Sequence, residues 1–123
     1  MKFGFDIHGV LDTFPQFPIL THALLSNGHE VHIITGNQKT EKIVKELRDL
    51  NVTFYKFFSV ADYLIENGYD HYFSAPSNPW FESDVWNCQK GYYASRVGLD
   101  FHFDDMEEYK PFFPDSCVFC LIK

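Results

Sequence analysis

Five side chains in this sequence could cooperate in one reaction: Asp6, Thr35, Lys90 and the pair Asp104-Asp105. Asp6 closes a short apolar run and leads into Ile7-His8-Gly9. Thr35 closes Val31-His32-Ile33-Ile34 and leads into Gly36-Asn37. The acidic pair closes Phe101-His102-Phe103. Carboxylates drawn together repel one another, and a hard cation between them makes the arrangement tolerable. Mg2+ suits such a place, because it takes few carboxylates together with waters and substrate phosphates. A carboxylate can also attack phosphorus and form an aspartyl-phosphate. That step needs positive charge against the phosphoryl oxygens, which Lys90 could supply. The Thr35 hydroxyl and the backbone N–H groups around Gly36 and Asn37 could hold those oxygens. His8 offers an acid or base that works near neutral pH.

The surrounding pattern predicts elements able to deliver these groups to one edge. Strands are expected over 3–6, 30–35, 52–58, 99–104 and 117–122. Helices are expected over 17–26, 40–50, 60–66 and 85–97, with a helical turn over 106–109. Strand and helix alternate throughout. This predicts an α/β fold: a three-layer, Rossmann-like arrangement of about five mainly parallel strands with helices on both faces. In such sheets ligands bind beyond the carboxyl ends of the strands. Asp6, Thr35 and Asp104-Asp105 all fall at those ends. His32 and His102 lie inside strand patterns and read as satisfied or half-buried imidazoles rather than ligands.

Composition narrows the function classes. With 123 residues, 46% of them hydrophobic, the chain can bury a core and is not a disordered tail. One domain over 1–123 is expected. No apolar run approaches the roughly 18–20 residues of a membrane span. Asp6 interrupts the N-terminal apolar stretch that a signal peptide needs, and three cysteines are an odd number. Both features predict a cytoplasmic protein. Cys117 and Cys120 have no second pair for a zinc site and read as strand cysteines. Ten Lys and Arg against 17 Asp and Glu give a net charge of −7. That disfavours broad contact with nucleic acid or anionic lipid but allows a small, focused anion site. The expected partner is a small phosphorylated substrate.

Taken in order, these segments resemble the four motifs of the haloacid dehalogenase superfamily. Asp6-Ile7-His8-Gly9-Val10-Leu11-Asp12 looks like the first motif and Ile33-Ile34-Thr35-Gly36-Asn37 like the second. Lys90 resembles the third-motif lysine, and Leu99 to Asp105 looks like the acidic-pair form of the fourth. The resemblance spans roughly residues 3–123. It implies a Mg2+-dependent phosphatase in which Asp6 is the nucleophile and a metal ligand. Thr35, Gly36 and Asn37 would bind phosphate. Lys90 would stabilise the phosphoryl charge, and Asp104 and Asp105 would hold the metal. His8 departs from the family, whose phosphatases usually carry Asp there. Its backbone carbonyl could still serve the metal, and its imidazole could serve as the acid/base.

The segment after Asp12 is too short for a cap domain. The short stretch 69–84, with Tyr69, Tyr72, Phe73, Pro76, Pro79, Trp80 and Phe81, reads as an irregular insertion and the one candidate lid. Its aromatics suggest a nucleotidase-like substrate. Two other readings compete with the phosphatase. One is a catalytically weakened member that only binds phosphate ligands. The other is a PIN-like metal-dependent nuclease, which would need Glu41 or Glu46 in the acidic cluster. A receiver domain fits less well, since its acidic pair would lie early in the chain.

Overall fold

The computed structural model describes residues 1–75 and 78–123. The chain begins with β1 (Lys2–Phe5), a kinked helical turn at Ile7–Leu11, α1 (Gln16–Ser26), β2 (Glu30–Thr35), α2 (Glu41–Asp49), β3 (Lys56–Ser59) and α3 (Val60–Glu66). There follow β4 (Tyr72–Ala75), β5 (Asn78–Trp80), α4 (Ser83–Trp86), α5 (Gln89–Val97), β6 (Phe101–Asp104), a 3-10 segment at Glu107–Phe112 and β7 (Val118–Leu121).

Five strands form one sheet in the order β3-β2-β1-β6-β7, every neighbouring pair parallel. Parallel neighbours need a crossover, and helix supplies it here. One apolar layer gathers Phe5, Ile33, Ile43 and Leu47 with Phe17, Leu20 and Leu24, which places α1 and α2 on one face. The opposite layer gathers Ile34, Phe58, Leu64, Tyr93, Ala94 and Phe113, which places α3, α5 and the 3-10 segment on the other. Each fully buried large side chain contributes about 1.5–3 kcal/mol. This is the three-layer, Rossmann-like α/β fold that the alternation predicts.

The order of the strands matters for function. The chain runs outward from β1 to β2 and β3, then returns to the other side of β1 for β6 and β7. The reversal falls between β1 and β6. A crevice opens at such a switch point beyond the carboxyl ends of the strands. Asp6 and Asp104 are the residues that flank it.

Three local expectations need correction. The third strand starts at Lys56 rather than Val52. The Val52 amide is taken by Leu47 O at 3.0 Å and the Thr53 amide by Thr21 Oγ1 at 3.4 Å, so this stretch fastens to α2 and α1 instead of joining the ladder. The helix expected over 85–97 is two helices, α4 and α5, broken at Asn87-Cys88. The stretch 69–84 is not wholly irregular, because it contains an antiparallel hairpin of β4 and β5. Tyr72 faces Trp80 across it, with ring centroids 5.2 Å apart, a pair that favours hairpin over coil. Pro76 lies outside the described residues. No helix among the described residues is long and apolar enough to cross a membrane.

Candidate active site

At the switch point β1 and β6 end side by side. The ladder continues one step past β1, with the Asp6 amide donating to Phe103 O at 3.0 Å. Asp6 therefore emerges level with the end of β6. Its Oδ1 accepts from the Ile7 amide at 2.9 Å and faces Lys90 Nζ at 3.2 Å. Lys90 is the second residue of α5 and is only 3% exposed. The same ammonium reaches Asp104 Oδ2 at 2.7 Å. Its partners thus come from β1 and β6, and it caps the crevice from the helix layer. The Tyr109 ring lies 4.8 Å from Nζ and covers the ammonium. Asp104 carries two further donors: Oδ2 also takes His102 Nε2 at 2.8 Å, and Oδ1 takes the Met106 amide at 3.1 Å. Asp105, exposed, completes a group. One ligand atom each from Asp6, Asp104 and Asp105 lie within 4.8 Å of one another.

Burial sets the electrostatics, and neighbours modify it. The Asp6 carboxyl is pushed up to about 6: desolvation raises it, Lys90 pulls it back, and the Asp104 charge raises it again. Burial also opposes charge on Asp104, but the His102 hydrogen bond and the Lys90 charge hold its carboxyl well below the usual range. Lys90 loses solvation too, yet Asp6 and Asp104 keep its pKa above the ordinary lysine value. The crevice thus holds one tightly ionised carboxylate and one carboxyl that ionises reluctantly.

These shifts act on stability with opposite signs. The folded Asp6 carboxyl binds its proton more tightly than the unfolded one, whose ordinary value is 3.8. Its contribution is complete below about pH 4 and is lost as pH rises through about 6. The Asp104 contribution is present above about pH 4 and is lost on further acidification. Carboxyl 13C spectra of metal-free protein should show Asp6 titrating with a midpoint near 6. An ordinary midpoint near 4 would refute the desolvation.

The turn after β2 lies at the same edge. Thr35 is buried; its Oγ1 donates to Asn37 Oδ1 at 3.1 Å and accepts from the Asn37 amide at 3.2 Å. Thr35, Gly36 and Asn37 thus form one closed turn. The Trp86 indole lies against Gly36, 2.6 Å from where a Cβ would stand, and its Nε1 donates to Tyr109 Oη at 3.2 Å. Trp86 therefore ties the turn after β2 to the ring that covers Lys90.

His8 goes elsewhere. Its Nε2 meets Glu46 Oε1 on α2 at 2.9 Å, and a second group forms from His8, Asp12 and Glu46. The structure brings together Asp6, Lys90, Asp104 and Asp105, but it does not bring the His8 imidazole into that group. Glu46 likewise belongs with His8, away from the acidic cluster. Gly9 sits between the two groups with φ of +90°, and a Cβ there would run into the Asp105 carboxylate. Gly9→Ala should therefore cost about 1–3 kcal/mol, read as a lower Tm.

Sequence reasoning missed His102, Trp86, Tyr109 and the partnership of Glu46 with His8. His102 was legible in principle. Residues two apart in a strand share a face, so an imidazole two before Asp104 must lie beside it. Trp86, Tyr109 and Glu46 arrive from distant segments and carry no such signal.

No protein-family model matches the chain, and no curated protein or solved structure is significantly similar to it.

Proposed function

We propose that the chain is a haloacid dehalogenase-like phosphatase that hydrolyses phosphate monoesters through an aspartyl-phosphate on Asp6. The observation that carries this reading is the Lys90 ammonium held between Asp6 at 3.2 Å and Asp104 at 2.7 Å at the switch point. A buried Lys between two carboxylates from different strands is costly as mere scaffolding, and apolar packing would serve stability equally well. It is useful where a dianion must approach a carboxylate.

The close approach of Asp6, Asp104 and Asp105 oxygens suits a hard divalent cation, and Mg2+ is the expected one. Asp105 has the freest oxygens for it, since Asp104 already carries three donors and Asp6 Oδ1 two. When bound, the cation would neutralise phosphoryl charge. The chain's own groups do the rest. Both donors on Asp6 go to Oδ1, so Oδ2 is the oxygen assigned to attack phosphorus. A P–Oδ2 bond forms as the ester P–O bond breaks, and the leaving oxygen takes a proton. Water then attacks the same phosphorus and gives up a proton. The P–Oδ2 bond breaks, releasing phosphate and restoring the carboxylate. Lys90 stabilises the phosphoryl oxygens in both steps, and Thr35, Gly36 and Asn37 are assigned to hold them. For His8 to give and take these protons, its exposed imidazole must leave Glu46 and turn toward Asp6.

The hairpin supports a substrate that carries a flat ring. Tyr72, Phe73 and Trp80 are exposed. At its base Phe81 stacks on Trp86 at 5.6 Å, and Trp86 lies against Gly36. A nucleotidase-like substrate fits that path.

The His8–Glu46 contact favours a second reading: a weakened member that binds phosphate ligands without turnover. One assay separates the two. Purified protein with Mg2+ should hydrolyse p-nitrophenyl phosphate, and EDTA should stop it. Phosphate binding with no hydrolysis under any divalent cation would favour the second reading.

A further inference from the structure

His102 is completely buried in β6, stacked on Phe113 at 4.8 Å and tilted against Phe119 at 5.7 Å. Gly4 of β1 makes room for it, since a Cβ there would stand 2.8 Å from His102 Nδ1. A phenylalanine would suit so aromatic a slot. The imidazole is a poorer filling, because Nδ1 is buried with no hydrogen-bond partner among the described residues. Such an orphan costs stability and asks for a reason.

The reason lies at the other nitrogen. Nε2 is 2.8 Å from Asp104 Oδ2. A carboxylate only accepts, so Nε2 carries a proton, and a second proton on the partnerless Nδ1 would be a buried, unpaired donor, which leaves Nδ1 a bare lone pair. Asp104 Oδ2 is therefore shared between His102 and Lys90.

We propose that His102 is a positioning residue for phosphoryl transfer: by satisfying part of Asp104, it keeps the Lys90 ammonium available to Asp6 and the incoming phosphoryl group. The proposal rests on the phosphatase reading above. Without His102, Asp104 would claim Lys90 more fully, and the ammonium would move away from Asp6, now 3.2 Å from it. His102 touches no substrate. It acts through Asp104 and Lys90, as outer partners of reactive groups do.

The test compares His102→Phe with His102→Gln. Phenylalanine keeps the stacking and removes the donor, whereas the Gln amide restores an N–H near Nε2. Turnover of p-nitrophenyl phosphate with Mg2+ is the readout. His102→Phe should lose about 10–100-fold in kcat with little change in KM, and His102→Gln should recover most of it. Unchanged kcat in His102→Phe overturns the proposal, and so does an equal loss in both variants. A wild-type protein that hydrolyses no phosphate ester removes the phosphatase reading and this one with it, before any variant is made. Imidazole 15N spectra of the wild type give a readout that needs neither turnover nor a folded variant. A proton on Nε2 with bare Nδ1 is expected, and a proton on Nδ1 overturns the role.

Discussion

Asp6→Asn is expected to abolish phosphate-ester hydrolysis while making the protein more stable. The loss should be about 10^4-fold or greater in kcat, the scale on which removal of a covalent nucleophile acts. The gain follows from burial. Asp6 is 7% exposed, and its carboxyl is pushed up to about 6. Near pH 7 the fold therefore holds a charge that it would shed if it could. An amide of the same shape removes that charge and leaves Lys90 paired with Asp104. Stability should rise by about 1–3 kcal/mol in metal-free protein. Calorimetry and a turnover assay on the same sample would check both halves. A variant both inactive and less stable would contradict the electrostatic account of the crevice.

Lys90→Met should have the largest effect on stability. It leaves the Asp6 and Asp104 carboxylates facing each other inside the protein without their ammonium. Breaking a buried ion pair by removing one partner costs about 3–5 kcal/mol, a large part of the stability of a small domain. Turnover should vanish as well, because no other Lys or Arg is paired with Asp6 or Asp104 among the described residues. The loss should be partly reversible by a route the wild type needs less. Mg2+ should raise the Tm of Lys90→Met more than that of the wild type, since a cation among Asp6, Asp104 and Asp105 would replace the missing charge. An unchanged Tm in metal-free variant protein would contradict the role given to Lys90.

The parallel sheet was legible because its signals are local. Glu30–Thr35 is a β-branched run ended by Gly36, and Glu41–Asp49 puts Ile43 and Leu47 on one side of a helix. The meeting of Asp6 with Asp104-Asp105 was legible for a different reason, because a topological rule sends strand ends to one edge. The rule fixes backbone positions and leaves rotamers open. It put His8 at that edge but could not say that the imidazole would reach across to Glu46, 38 positions later in the chain. The hairpin was hidden because its pairing depends on Tyr72 meeting Trp80 across two short strands rather than on a long run of β-formers. The break between α4 and α5 was hidden because Asn87-Cys88 has neither Gly nor Pro to mark it.

The most direct measurement is to find where the phosphoryl group goes. Protein mixed with a phosphate ester and Mg2+ can be quenched in acid during turnover, digested and mapped by mass spectrometry. One added phosphoryl group on the peptide that carries Asp6, absent from Asp6→Asn, is the predicted result. Steady turnover with no covalent phosphate on Asp6, or with phosphate on another residue, would contradict the nucleophilic role of Asp6.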